Sequence, residues 1–186
     1  MQRVPNPAND HITGATLSSA AVPTQGKRPD SIASTADLAF AYQLMDMLAI
    51  PAFVLDSKAQ VLIWNRACER LTGVPASEIV GTDNHWRSFY DEPRPTLADL
   101  VIQNRLEEIR HIYPRHGKPG AGNACPLSVE TWCDMPRAGK RRYLAADASP
   151  IFDEDGRLKA VVETLRDLTE EKMAQLALGS WPRATA

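Results

Sequence analysis

A short run of ring-bearing side chains holds the residues best suited to contact a small molecule. His85, Trp86, Phe89 and Tyr90 are four of the six residues from 85 to 90. Rings of this kind can line an apolar pocket, and their N–H and O–H groups can orient a ligand. They can equally fill the core of a domain of this size without any ligand. Both interpretations stay open at this stage.

A helix predicted to begin at Pro95 or Thr96 and to end at Gln103 would form the next wall of such a pocket, because its apolar side chains recur on one face. We also include an aromatic residue from a later predicted strand, although tryptophan on a strand more often packs. The candidate ligand-binding residues are therefore His85, Trp86, Phe89, Tyr90, Leu97, Leu100, Val101 and Trp132.

Other chemistry finds less support in the spacing of the residues. His111, His116, Cys125 and Cys133 lack the close Cys-x-x-Cys pair of zinc sites, so we predict no metal centre. The sequence shows no nucleophile elbow, glycine-rich phosphate loop or His-Glu metal motif, and we predict no catalytic residues. The positive charges between Arg105 and Lys118 either draw an anion toward the pocket or belong to a solvated loop, which we favour.

Composition is typical of one globular domain. The 186 residues are 44% hydrophobic and 24% charged, and the net charge of -2 gives no reason to expect a nucleic-acid partner. No apolar run approaches the roughly 18 residues that cross a bilayer, so no membrane segment is predicted. Three cysteines are too few for a disulfide framework. We therefore predict that the protein is located in the reducing cytoplasm.

Patterning divides the chain into four parts. Residues 1–30 are rich in Pro, Ser, Thr and Ala and are predicted to be a disordered tail. Residues 31–48 are predicted to form a helix whose apolar face is wide enough to pair with a second copy of the chain, giving a homodimer. The domain proper spans 49–168, and 169–186 contain a final short helix and a tail.

Two early and three late segments have the apolar patterns of strands, with short helices between the two groups. They predict one five-stranded antiparallel sheet with helices over one face, an α+β fold. The two early strands are continuously apolar, so we expect the first helix to cover their other face. The predicted strands are Ile50–Asp56, Gln60–Trp64, Leu127–Cys133, Arg142–Phe152 and Leu158–Arg166.

Several of these segments, in this order, resemble a PAS domain. The first half matches at Phe53–Asp56, Val61–Ala67, Leu71–Gly73 and Ile79–Gly81, and the second half at Ala148–Asp153, Asp155–Leu158 and Val161–Lys172. The middle segments, Gly81–Trp86, Phe89–Tyr90 and Arg94–Val101, are similar to a subgroup found in bacterial sensor kinases, cyclic-di-nucleotide enzymes and chemoreceptors.

The resemblance implies a sensory module that binds a small organic ligand or a partner. It also implies that Asp167 and Thr169 couple the sheet to the outgoing helix. The alternative is a ligand-free dimerisation scaffold with an ordinary capped helix. In either case we expect no enzyme activity in this chain itself. An output enzyme such as a histidine kinase or diguanylate cyclase could lie outside it.

The resemblance leaves the cofactor unknown. Flavin is disfavoured because the reactive-cysteine motif of flavin photosensors is missing and Cys68 is misplaced for that role. Haem is also disfavoured, although His85, His111 and His116 are candidate ligands.

Overall fold

The computed structural model describes residues 35–113, 115–116 and 127–179. The predicted disordered tail (residues 1–30), Cys125 and Lys118 at the end of the positively charged stretch lie outside the described residues. Within those ranges, no helix has the length and apolar character that a membrane crossing needs.

The described residues form six helices and six strands, which follow the predicted order except for one additional short strand. The helices are α1 (Thr35–Met47), α2 (Arg66–Thr72), α3 (Ala76–Ile79), α4 (Leu97–Ile102), α5 (Ile109–Ile112) and α6 (Thr169–Gly179), and two 3-10 turns cover His85–Ser88 and Leu106–Glu108. The strands are β1 (Ala52–Asp56), β2 (Val61–Trp64), β3 (Arg115–His116), β4 (Leu127–Cys133), β5 (Arg142–Phe152) and β6 (Leu158–Asp167).

The strands form one antiparallel sheet in the order β2-β1-β6-β5-β4-β3. This confirms the predicted antiparallel α+β fold with five main strands. The structure adds β3, in which His116 pairs with Val129, whereas the sequence predicts a loop there. The free edge of β4 explains the difference, because its unpaired backbone groups can accept two more residues.

The inner face of the sheet carries the main core. Helices α2 to α5 cover it, and the buried apolar side chains of β1, β4, β5 and β6 that point inward meet Leu97 and Leu100 of α4. Burial of this continuous apolar surface is the main force that holds the helices to the sheet.

The outer face is covered more sparsely. Tyr42 and Met45 of α1 pack on a small separate cluster formed by Val54, Ile63 and Ala160. This packing agrees with the prediction that the first helix covers the second face of the early strands.

Asn65 joins α1, β1 and α2 at the entry to the domain. Its side-chain oxygen accepts hydrogen bonds from the N–H groups of Ala52 and Cys68, and its amide donates to the carbonyls of Met45 and Ile50. The side chain is wholly buried and fully hydrogen-bonded, so it fixes the end of α1 against the start of the sheet.

Candidate functional site

A small cavity lies between the inner face of the sheet and the helices. Its walls are Tyr90 and Tyr113 on the helical side, Thr131 and Cys133 on β4, and residues of β5 and β6 that include Glu163. The space open to the centre of a water molecule is about 10 Å³. That is the lower limit for holding one water, so the cavity is closely packed but polar.

Glu163 places a carboxyl group in this cavity although the residue is only 3% exposed. Its Oε2 accepts a hydrogen bond of 2.7 Å from the backbone N–H of Ala98. Burial, together with the negative charges of Asp99 and Asp147, raises the pKa of this carboxyl to about 8 despite that hydrogen bond. The group is therefore mainly protonated at neutral pH.

Asp99, at the start of α4, is a second buried carboxyl with the opposite behaviour. Its Oδ2 accepts hydrogen bonds from His85 Nε2 at 2.9 Å and from both the N–H and the hydroxyl of Thr96. Burial opposes ionisation, but hydrogen bonds and charge from His85, with the bonds from Thr96, outweigh it and lower the Asp99 pKa. Thr96 and Asp99 also form a reciprocal capping box for α4.

Arg94 lies against the two tyrosines that wall the cavity. Its guanidinium carbon is 4.7 Å from the ring centre of Tyr90 and 5.0 Å from that of Tyr113. The same guanidinium donates a hydrogen bond of 2.8 Å to the carbonyl of Ile112. Cation–π contacts of this kind hold a charged group on ring faces without a carboxylate partner.

The two described cysteines are buried thiols. Burial raises the pKa of Cys133 to about 12 and that of Cys68 further still, so neither is a thiolate at neutral pH. Among the residues whose side chains are described, no three His, Cys, Asp or Glu side chains come together in a way that could hold a metal ion.

Only two of the predicted ligand-binding residues, Phe89 and Tyr90, line the cavity. His85 does not line the cavity itself. Its ring is hydrogen-bonded to Asp99 and lies beside Thr96, which does line the cavity, and its ring centre is 5.9 Å from that of Phe53 in the core. Leu97, Leu100 and Val101 pack in or against the core beside the cavity. Trp86 is half-buried, and the guanidinium of Arg87 lies over its ring.

Trp132 lies on the other face of the sheet. The inward residues of β4 are Val129, Thr131 and Cys133, so Trp132 points outward, where its ring is 5.1 Å from that of Tyr143. Successive side chains of a strand alternate between faces, and the register of β4 makes Trp132 an outer-face residue. The structure therefore removes it from the cavity.

Sequence reasoning missed Glu163, Tyr113 and Arg94. A signal for Glu163 exists, because Val161 and Leu165 flank it at a spacing of two, and both are buried on the inner face. Such alternation predicts that the glutamate between them points inward as well. Tyr113 and Arg94 are 19 residues apart in sequence, and no local pattern predicts that they meet.

The exit junction ties α6 to the sheet. Asp167 accepts hydrogen bonds from the N–H and the hydroxyl of Thr169 and is paired with Arg142. The Thr169 hydroxyl also accepts from the N–H of Tyr143, 3.0 Å away on β5. The Asp167 carboxylate therefore caps the start of α6, and the Thr169 hydroxyl joins that cap to β5. These bonds from Thr169 and Arg142 lower the Asp167 pKa, although partial burial opposes them.

Fold and site together define a small antiparallel α+β domain that encloses a polar cavity and has a helix fastened to its central strands. A family model for the PAS fold matches residues 39–168, and the chain belongs to the PAS family. No curated protein sequence matches the chain.

Several solved structures are similar to this chain at low sequence identity. The PAS domain of BvgS from Bordetella pertussis is 20% identical over 76% of this chain and 94% of that chain, with a TM-score of 0.49. An RNA-binding light-oxygen-voltage receptor is 20% identical over 86% of this chain and 40% of that chain (TM-score 0.51). A light-oxygen-voltage protein from Rhodobacter sphaeroides is 11% identical over 72% and 68% of the two chains (TM-score 0.51).

Proposed function

We propose that this PAS domain is a sensory signal-transduction module. A small organic molecule in the cavity, or a partner that alters it, changes the position of the central strands, and α6 carries that change onward. The module itself performs no catalysis and acts in the cytoplasm.

The observation that carries this proposal is that the cavity and the exit junction share the same two strands. On β5, Leu144 lines the cavity and its neighbour Tyr143 bonds Thr169. On β6, Leu165 lines the cavity and Asp167, two residues later, caps α6. A shift of these strands by a ligand would therefore act directly on the hydrogen bonds that hold the helix.

We also propose that two copies pair through α1. Phe40, Leu44 and Met47 are 61%, 51% and 84% exposed, and their spacing of four and three places them on one stripe of the helix. This stripe lies apart from Tyr42 and Met45, which face the sheet. A contiguous exposed apolar stripe is typical of a protein interface.

A ligand-free dimerisation scaffold is the second candidate. The packing favours it at one point, since the cavity holds at most one water in the structure. In that case the aromatic residues around Phe89 would be core alone, and the exposed stripe of α1 would carry the function.

Native mass spectrometry and hydrogen exchange separate the two functions. For a sensor, we expect the purified chain to retain a small molecule, or to bind one from a metabolite library, and that ligand to change the amide exchange of residues 167–178. For a scaffold, no compound binds and α6 exchange stays constant. Ligand binding without any change in α6 would contradict the proposed relay.

Sedimentation equilibrium tests the dimer. We expect the wild-type chain to dimerise at micromolar concentration and Leu44→Asp to shift it to monomer. Leu176→Asp is the matched control, because it places the same charge at a leucine of α6 that is 54% exposed, against 51% for Leu44. A wild-type monomer, or dissociation by the control alone, would show that α1 is not the interface.

A further inference from the structure

We propose that the cavity takes a primary ammonium group, so that the ligand is a small organic amine. This inference rests on the proposed sensory function and names the chemical class that the site would recognise. It depends on a buried carboxyl without a positive partner, on the aromatic rings beside it, and on an acidic hollow outside.

Glu163 supplies the acceptor. Its carboxyl receives one hydrogen bond from the described residues, at Oε2, which leaves the second oxygen able to accept another. No lysine or arginine in the described part of the chain forms an ion pair with it. A buried carboxyl in this state is satisfied by a proton or by a ligand that brings a positive charge and N–H donors.

The groups around Glu163 also favour a positive ligand. Its titratable and charged neighbours on the other elements are Asp99 with its partner His85, Asp147 on β5, Cys133 on β4, Cys68 on α2, Tyr113 after α5, and Tyr90 with Arg94. Asp99 and Asp147 add negative potential at Glu163, and the two thiols and the phenols are neutral at pH 7. Arg94 adds a positive charge on the far side of the tyrosine rings. A carboxylate ligand would place a second negative charge among these acidic groups, at a cost in a medium of low dielectric constant.

The ring faces show that cations are accepted here. Tyr90 and Tyr113 already hold the guanidinium of Arg94 at 4.7 Å and 5.0 Å. A group the size of an ammonium fits the cavity as it stands, because its volume is close to that of one water. A longer amine requires Arg94 to leave the rings, and its own carbon chain would then occupy that place.

An acidic hollow on the surface lies on the other side of Tyr90 and Arg94. It measures about 490 Å³ and is lined by these two residues with Pro93, Asp91, Glu92 and Asp134. Tyr90 thus belongs to both the hollow and the inner cavity. Asp134 is paired with Arg141, and the carboxylates of Asp91 and Glu92 raise the local concentration of cations beside Tyr90, which also lines the inner cavity.

A titration of the full chain with methylammonium chloride tests the proposal, with sodium chloride at equal ionic strength as the reference. We expect a saturable rise in melting temperature and a saturable shift of the Ala98 amide in the nitrogen–proton spectrum. The shift is specific because Ala98 N–H is bonded to Glu163. Glu163→Gln keeps an acceptor for that N–H but removes the charge, and should weaken binding at least tenfold. Glu154→Gln, at an exposed turn, removes the same charge elsewhere and should leave binding unchanged.

The pH dependence in the wild-type chain gives a second readout that needs no variant. The ammonium requires the ionised carboxyl, so the dissociation constant should fall about tenfold per pH unit from pH 6 to 7. A pH-independent constant, or equal effects of sodium and methylammonium, would overturn the proposal. If acetate, acetamide or another compound without an amine binds in the cavity and alters α6 while methylammonium does not, the sensory function stands and the amine class is wrong.

Discussion

Asp99 and Glu163 carry carboxyl groups into the same core, on either side of the Ala98 amide. Asp99 accepts three hydrogen bonds, from His85 and Thr96, and its pKa is lowered by them. Glu163 accepts one, from Ala98, and burial raises its pKa to about 8. Both side chains are buried, but Glu163 is buried more deeply, and Asp99 has more donors aimed at it as well as the charge of His85 beside it.

This difference separates a structural role from an adjustable one. The charge of Asp99 is built into the start of α4, where it also completes a capping box. The charge of Glu163 depends on what the cavity supplies, whether a proton or a ligand. Glu163 also lies on β6 four residues before Asp167, so a change in its state is close to the exit junction.

The largest effect should follow from Asp99→Ala. The change leaves the buried donors of His85 and Thr96 without an acceptor. Removing one partner of such a network costs about 4 kcal/mol of unfolding free energy. Asp99→Asn keeps an acceptor oxygen and should lose less. Urea unfolding at pH 7 measures both. Losses below 1 kcal/mol for the alanine variant would mean that Asp99 is no better anchored than Glu163.

Glu163 should make stability fall as pH rises. Its pKa is about 8 in the folded state and 4.5 as the ordinary value, so the unfolded chain loses the proton first. The stabilising contribution is complete below pH 4.5 and is lost as pH rises to 8. Between pH 5 and 7.5 the loss amounts to about 3 kcal/mol.

Glu163→Gln should flatten that limb and exceed the wild-type chain in stability at pH 7.5. Urea midpoints across this pH range provide the measurement. If the two curves have the same slope, Glu163 is not the titrating group and its contrast with Asp99 disappears.

Local signals account for what the sequence predicted well. The boundaries of β4, β5 and β6 follow from apolar alternation and from the turn at Asp153–Gly156, and those of α4 from Thr96 and Asp99. The resemblance implies that Asp167 and Thr169 couple the sheet to α6; their hydrogen bonds lie at this junction, and the coupling itself stays a prediction. Each of these signals lies within a few residues of the feature it predicts.

Tertiary contacts account for what was missed. The contact between Trp132 and Tyr143 depends on the register of β4 against β5, which fixes the face that each side chain occupies. The place of Arg94 between Tyr90 and Tyr113 depends on how the segment before α4 folds back on the end of α5. Neither could be derived from spacing, because both join elements that are distant in sequence.

Thr169→Ala should have the smallest effect. It tests whether the Glu163 carboxyl affects the exit junction. The change removes the acceptor for Tyr143 N–H and a donor to Asp167, at a cost of about 1 kcal/mol. Thr169→Ser keeps the hydroxyl and is the matched control.

If β6 links Glu163 to α6, raising pH from 6 to 8 should speed amide exchange in residues 169–178 of the wild-type and serine proteins, beyond the intrinsic pH effect seen in an unfolded reference. In the alanine variant that exchange should be fast at both pH values. An equal pH response in Glu163→Gln would show that the exit junction responds to another group, and that Glu163, like Asp99, acts only within the core.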